Sequence, residues 1–133
     1  MIYAVIDTNV FVSAMITHHA DAATVKVYHK MLYGEITPLY NDEILAEYRE
    51  VLSRPHFKVD MEKIDAILAA VRKLGVDSER MHCDDAMPDE TDRVFYEITL
   101  SRENAYLVTG NLRHFPRNPV VVTPAEMLDI LNA

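Results

Sequence analysis

The amino-acid sequence predicts an α/β protein whose central parallel sheet has four or five short strands flanked by helices. Short runs of Val, Ile and other apolar residues alternate with longer segments in which apolar residues recur at helical spacing. Residues that cap helices or form turns separate the two kinds of segment. Because strands that alternate with helices usually pair in parallel, this alternation predicts the fold class.

The first third of the chain predicts one strand and two helices. Residues 2–6, Ile-Tyr-Ala-Val-Ile, form a short apolar run that is typical of a strand buried in a parallel sheet. A short helix is expected at residues 10–16 and a second at residues 22–33. Gly34 is expected to end the second helix, because glycine readily adopts the left-handed conformation that follows many helices.

The middle of the chain predicts a brief strand and two further helices. Residues 36–39 are expected to form the strand, although Pro38 has no N–H to donate to a neighbouring strand. Helices are expected at residues 42–52 and 61–74. Gly75 is the expected end of the second of these helices.

The last third of the chain predicts an acidic loop, two helices and two strands. Residues 80–89 are expected to be an irregular loop. A helix and the two strands follow, at residues 92–100, 105–109 and 120–122. Thr123 is expected to cap the last helix, because Pro124 suits the first helical position and Glu126 completes a capping box.

Length and composition predict one globular domain over residues 1–133. The chain is 50% hydrophobic and 26% charged, which is the balance of a folded protein. Cys83 is the only cysteine, so no internal disulfide can form and a reducing cytoplasm is the expected location. No apolar stretch approaches the ~20 residues needed to span a bilayer, and the first residues predict a strand rather than a signal peptide.

The charge balance constrains the expected function. The chain carries 21 acidic residues against 13 Lys and Arg, a net charge of -8. This excess of acid argues against a protein that coats nucleic acid through general electrostatic attraction. It is compatible with an enzyme that acts on nucleic acid, because a metal ion bound by clustered acids reverses the local negative charge.

Asp7 is the first candidate functional residue. It directly follows the first predicted strand, and open α/β sheets place their active sites at the carboxyl ends of strands. Thr8 and Asn9 follow it and can orient its carboxylate through local hydrogen bonds. The turn at residues 109–111 also follows a strand, so it should reach the same edge of the sheet. The alternative interpretation is that Asp7 only caps a helix.

Two further groups of acids are candidates for the same site. Glu43 and Glu47 lie one helical turn apart, so they share a helix face, although a solvated surface is the alternative. Five acids crowd the segment before the next helix: Asp84, Asp85, Asp89, Glu90 and Asp92. Such crowding is repulsive unless a cation relieves it. Mg²⁺ and Mn²⁺ prefer oxygen ligands and would suit this role.

Four motifs occur in a fixed order along the chain. They are Ile-Asp-Thr-Asn at residues 6–9, the helix at residues 41–52, Asp-Glu-Thr-Asp-Arg-Val at residues 89–94, and Val-Thr-Gly-Asn-Leu-Arg-His-Phe at residues 108–115. Together they resemble the motifs of the PIN domain family, small metal-dependent nucleases with a three-layer α/β fold. The family includes toxin components of bacterial and archaeal toxin–antitoxin pairs, and residues 53–57, Ser-Arg-Pro-His-Phe, resemble that subgroup further.

The resemblance implies roles for individual residues. It implies that the catalytic, metal-binding acids are Asp7, Glu47 and Asp92, that Asp89 is a further metal ligand, and that Glu43 and Asn111 are weaker candidate ligands. Many relatives have an aspartate where this chain has Asn111, and another acid where it has His114. The implied substrate-binding residues are Thr8, Asn9, Thr109, Asn111 and Arg113. The implied cofactor is Mg²⁺ or Mn²⁺.

The function implied by the resemblance is metal-dependent endoribonuclease activity on RNA phosphodiester bonds. The chain would then be the toxin of a toxin–antitoxin pair, with a cognate antitoxin protein as partner. A homodimer is also expected, and the apolar side chains of Tyr28, Met31 and Tyr33 are candidates for its interface. The alternative is a catalytically weakened PIN-like module that binds RNA or protein. The asparagine at position 111 favours that alternative.

Overall fold

A computed structural model describes residues 1–133 as a parallel sheet flanked by helices. The strands are β1 Tyr3–Ile6, β2 Thr37–Tyr40, β3 Val76–Asp77, β4 Ala105–Val108 and β5 Val121–Val122. The helices are α1 Thr8–Ile16, α2 Ala23–Leu32, α3 Asp42–Leu52, α4 Met61–Leu74, α5 Arg93–Thr99 and α6 Pro124–Leu131. Single 3₁₀ turns lie at Pro55–Phe57, Glu90–Asp92 and Leu112–His114. No helix has both the length and the apolar character needed to cross a bilayer.

The strands are parallel and lie in the spatial order β3-β2-β1-β4-β5. β1 pairs with β4 along its full length but with β2 only at Tyr3 and Ala4. The chain passes from β1 to β2 on one side and later to β4 on the other, so the strand order reverses at β1. Open α/β sheets bind ligands at such a reversal, beyond the carboxyl ends of the strands. Asp7 follows β1 and therefore lies at this point.

The central strands are buried on both faces. Successive side chains of a strand point to opposite faces, yet Ala4, Val5 and Ile6 of β1 are all at most 1% exposed. Leu107 and Val108 of β4 are fully buried as well. Helices therefore cover both sides of the sheet, which confirms the predicted three-layer α/β fold.

β3 is the one strand that the sequence did not predict. It contains two residues, Val76 and Asp77, and pairs with the end of β2. Gly75 allows α4 to approach β2 closely here, since a Cβ at this position would lie 2.4 Å from the main-chain oxygen of Pro38. A strand of two residues has no measurable period, so apolar patterning cannot identify it.

Three helices begin at residues other than those predicted, and one of them is α2, which begins at Ala23 rather than at residue 22. α1 begins at Thr8, directly after β1, and α5 begins at Arg93, after the 3₁₀ turn Glu90–Asp92. The predicted capping box of α6 is confirmed, because the hydroxyl of Thr123 accepts from the N–H of Glu126 at 3.1 Å and the glutamate accepts in return at 2.9 Å. Helix ends were therefore predictable where a specific cap forms.

The three apolar side chains expected to form a dimer interface differ in their exposure to solvent. Met31 is fully buried in the core, whereas Tyr33 is 79% exposed and Tyr28 is half-buried. Met31 therefore cannot contribute to an interface between folded subunits, which corrects that part of the expectation. The predicted end of α2 is confirmed, since Gly34 has a φ of 81° in the left-handed region.

Candidate active site

A cleft of about 330 Å³ opens beyond the carboxyl end of β1. α1, α3 and the turn before α5 each contribute polar side chains to its walls. Four carboxylates line it, those of Asp7, Glu47, Asp89 and Asp92, together with the polar residues Thr8, Asn9, Arg54, Thr91 and His114. The fold thus brings acids that are far apart in the sequence around one opening.

Asp7 is the most deeply buried of these acids, at 6% exposed. Its main-chain N–H donates to the carbonyl of Val108 at 2.9 Å, and the hydroxyl of Thr109 donates to its carboxylate at 2.8 Å. Its side chain makes no capping hydrogen bond to α1, so helix capping does not explain an acid here. Burial raises the pKa of Asp7, and the hydrogen bond from Thr109 offsets only part of that effect.

Asp92 and Glu47 both hold their protons more tightly than exposed acids do. Burial, followed by the charges of Asp7 and Asp89, raises the pKa of Asp92 to about 6. The pKa of Glu47 is raised by burial and by neighbouring Glu50, while Arg54 opposes the shift. Burial is the larger cause for both acids, and repulsion between neighbouring carboxylates adds to it.

Asp89 lines the cleft and also stabilises the turn that precedes α5. Its Oδ1 accepts hydrogen bonds from both the N–H and the hydroxyl of Thr91, each at 2.9 Å. These hydrogen bonds lower the pKa of Asp89, in contrast with Asp92 nearby. Asp89 therefore remains ionised while it faces the cleft.

One hydrogen bond ties the start of α1 to the turn after β4, and a second orders the turn itself. The side-chain oxygen of Asn9 accepts from the N–H of Gly110 at 3.0 Å, and the hydroxyl of Thr109 accepts from the N–H of Asn111 at 3.0 Å. Thr109 is fully buried, so its contacts are with the protein. The hydroxyl of Thr8 is buried and has no hydrogen-bond partner.

Four of the predicted site residues lie outside the cleft lining: Glu43, Asn111, Arg113 and the fully buried Thr109. The carboxylate of Glu43 accepts from Nη1 of Arg80 at 2.9 Å. Asn111 caps the turn Leu112–His114, where its oxygen accepts from the N–H of Arg113 and its nitrogen lies 3.0 Å from Nε2 of His114. The side chain of Arg113 lines a neighbouring cavity of about 370 Å³ instead.

The structure adds two kinds of residue that sequence reasoning missed. Arg54 and Phe57 line the cleft from the loop after α3. Tyr48 lies in the core, where its hydroxyl donates to the carbonyl of Ile6 and its ring packs against that of Phe11, with centroids 5.0 Å apart. Neither residue carried a local signal for its role, since Arg54 lies beyond the end of α3 at Leu52 and Tyr48 has the spacing of an ordinary core residue.

The donor types fit a hard divalent cation. The carboxylates supply oxygen ligands only, which Mg²⁺ and Mn²⁺ prefer, and a bound cation would offset the cost of ionising these buried or half-buried acids. No three His, Cys, Asp or Glu side chains are gathered closely enough to hold one ion as they stand. Joint coordination would therefore require these side chains to rotate toward one another.

Comparison with known proteins supports a family assignment. The sequence model of the PIN domain matches residues 3–113, a range that includes β1, α3, α5 and all four carboxylates of the cleft. No curated protein and no solved structure matches the chain. The match covers most of the chain and agrees with the parallel α/β sheet described above. The protein therefore belongs to the PIN domain family, whose members are generally metal-dependent nucleases.

Proposed function

We propose that this protein is a metal-dependent endoribonuclease that hydrolyses phosphodiester bonds in RNA. The observation that carries the proposal is the convergence of Asp7, Glu47 and Asp92, from three separate elements, on one open cleft. None of the three acids is paired with a lysine or arginine, and burial raises the pKa of each, so a bound cation is compatible with all three. The family membership supports the nuclease class.

In this proposal Asp7, Glu47 and Asp92 hold Mg²⁺ or Mn²⁺, and Asp89 is a further ligand. Such an ion, when bound, neutralises phosphate charge and lowers the pKa of a bound water. The protein contributes a rigid frame: Thr109 fixes one oxygen of the Asp7 carboxylate, and the bond from Gly110 to Asn9 fixes the adjoining turn. We propose that water attacks the phosphate in line while the opposite ester P–O bond breaks, so that the departing ribose oxygen takes up a proton and leaves as a hydroxyl without a covalent enzyme intermediate.

The direct test is cleavage of single-stranded RNAs by purified protein in Mn²⁺, in Mg²⁺ and in excess chelator. We expect cleavage only with a divalent ion, and its loss in Asp7→Asn. Wild-type protein that binds RNA but leaves it uncut in either metal would contradict the proposal. That outcome would favour the second candidate function.

The second candidate function is a weakened PIN-like module that binds RNA or protein. Asn111 favours it, because its side chain is occupied by the turn Leu112–His114 and offers no charge to a cation. The variant Asn111→Asp separates the two functions. If the wild type is an active nuclease, Asn111→Asp should retain or increase its activity. If it is a weakened module, the wild type should not cleave RNA, and cleavage should appear only in Asn111→Asp.

We further propose that residues 1–133 act as one domain and as the toxin of a toxin–antitoxin pair. The support is the resemblance of residues 53–57 to that subgroup, and the cognate antitoxin is the proposed partner. A homodimer is also proposed, because α1 and α2 expose Ile16, Leu32 and Tyr33. Light scattering at tens of micromolar tests the dimer, and a monomeric mass would contradict it.

A further inference from the structure

The loop that follows α3 forms one wall of the acidic cleft. Arg54 and Phe57 of this loop line the cleft together with Asp7 and Glu47. The 3₁₀ turn Pro55–Phe57 orders the loop, and Lys58 in the left-handed region, with a φ of 55°, redirects the chain after it. A cation and an aromatic ring are thereby held beside the carboxylates.

Arg54 is the only lysine or arginine among the residues that line the cleft. Its Nη2 donates to Glu50 at 2.9 Å, but both side chains of this pair are about half exposed, at 48% and 60%. Exposed ion pairs contribute little free energy, so a phosphate can replace the carboxylate at small cost. Nη1 of Arg54 makes no hydrogen bond within the protein and is free to donate.

Arg93, the other arginine near these acids, is fully engaged. Its guanidinium donates to the carboxylate of Glu90 and to the main-chain oxygens of Cys83 and Asp85. These hydrogen bonds hold the acidic loop against α5. Arg54 therefore remains the cation that is available to a polyanion entering the cleft.

Phe57 presents an aromatic surface next to Arg54. One part of the side chain packs against the core, and the residue is partly exposed. The exposed ring of His56 lies 4.1 Å from the ring of Phe57, centroid to centroid. Base stacking on aromatic rings combined with cationic contacts to the backbone is the common mode of single-strand recognition.

We infer that Arg54 and Phe57 bind the RNA strand beside the reacting phosphate, Arg54 through a phosphate and Phe57 by stacking an unpaired base. A base that stacks on Phe57 must be unpaired, because a base within a helix is already stacked and cannot lie on the ring. The inference rests on the proposed function, since it needs RNA in the cleft. It adds the residues of this chain that bind the strand.

Binding of fluorescent RNA, followed by anisotropy at several salt concentrations in Mg²⁺, tests the inference. All variants are made in an Asp7→Asn background so that RNA is not cut. Arg54→Gln should lower the slope of log affinity against log salt by about 0.7, the loss of one phosphate contact. Phe57→Leu should weaken binding about tenfold, and Phe57→Tyr, which keeps a ring, should restore it. A duplex of the same sequence should bind more weakly and be insensitive to Phe57→Leu.

Arg72→Gln is the matched control, because it removes the same charge from an exposed position on α4 away from the cleft. The inference would be overturned if Arg54→Gln and Phe57→Leu bound RNA with the same affinity as Arg72→Gln. In that case, RNA cleavage by the wild type would still support the proposed function. A wild type that neither binds nor cuts RNA would overturn both. Arg54→Gln lies at an exposed site and should fold, so it keeps the test decisive if Phe57→Leu proves unstable.

Discussion

The acidic cleft and the ion-pair network around Glu97 both gather carboxylates, but only in the network does an arginine bond directly to them. Glu97 on α5 is 4% exposed, yet its two oxygens accept from Nε of Arg80 at 2.8 Å and from the N–H of Cys83 at 2.9 Å. Arg80 also binds Glu43 through Nη1 at 2.9 Å. In the cleft, by contrast, the hydroxyl of Thr109 donates to Asp7 at 2.8 Å, and Asp92 lies 4.0 Å from Nδ1 of His114 with no arginine or lysine bonded to either acid.

The pKa values of the two regions differ in direction for this reason. Burial opposes ionisation of Glu97, but the hydrogen bonds from Arg80 and Cys83 outweigh it and lower the pKa of Glu97. Burial and neighbouring acids raise the pKa of Asp92 to about 6. Burial alone therefore does not separate a structural carboxylate from a functional one. The donors around the carboxylate do: Glu97 accepts hydrogen bonds from Arg80 and Cys83, whereas the Asp92 carboxylate accepts none within the protein.

The largest expected effect comes from removing an acid of the cleft. Asp7→Asn should reduce RNA cleavage by about 10³-fold or more, because it removes a charged oxygen ligand from a site that acts through a cation. Turnover of a labelled RNA in Mn²⁺ measures the effect. Asp129→Asn, an exposed acid on α6, is the matched control and should keep full activity. Equal affinity of Asp7→Ala and wild type for Mn²⁺ by calorimetry would show that Asp7 is not a ligand.

The next largest effect comes from removing the cation of the network. Arg80→Met should lower the free energy of unfolding by about 3 kcal/mol at pH 7, because it leaves Glu97 buried without its charged partner. Folding lowers the pKa of Glu97, so the ionised side chain stabilises the protein at pH values above its pKa in the unfolded chain. That stabilisation is lost as the pH falls through its pKa in the folded protein. The deficit should therefore shrink toward pH 4, where Glu97 is protonated in the variant. Urea unfolding with Arg72→Met as control measures this, and an equal deficit at both pH values would point to lost packing instead.

Neutralising Asp92 should have a smaller effect of the opposite sign. Its pKa of about 6 lies above the ordinary value of 3.8, so its contribution to stability is present at low pH and is lost as pH rises through 6. In chelator at pH 7.5, Asp92→Asn should be more stable than wild type by about 1 kcal/mol, since solvent screens part of the effect at this half-buried site. Thermal unfolding from pH 4 to pH 8 tests the sign. A variant less stable than wild type at pH 7.5 would show that Asp92 is held by favourable contacts.

The smallest expected effect is at the ion pair beside the cleft. Glu50→Gln should change the free energy of unfolding by less than about 0.5 kcal/mol, because its partner Arg54 and the glutamate are both exposed to solvent. It should also lower the pKa of Glu47, since Glu50 contributes to raising it. Urea unfolding at pH 7 measures the stability. A loss above about 1 kcal/mol would mean that Arg54 is committed to the loop rather than available to RNA.

The sequence alone determined the fold class, the order of the elements and the edge of the sheet that carries the acids. Helical spacing and short apolar runs are local properties, and right-handed parallel crossovers place the carboxyl ends of β1 and β4 together. The position of Asp7 beside Thr109 follows from these two facts, and the structure shows the contact at 2.8 Å. The strand β3 was not predicted, because two residues are too few to show the alternation of apolar and polar side chains that identifies a strand.

Only the tertiary structure decided which acids share the cleft and what surrounds them. Glu43 and Glu47 are equivalent by helical spacing, but Arg80, distant in the sequence, engages Glu43 and leaves Glu47 at the cleft. Tertiary packing also buries Met31 in the core and places Arg54 at the cleft. Each outcome depends on contacts between residues far apart in the chain, where packing and desolvation set burial, partners and pKa, and no local pattern in the sequence encodes those contacts.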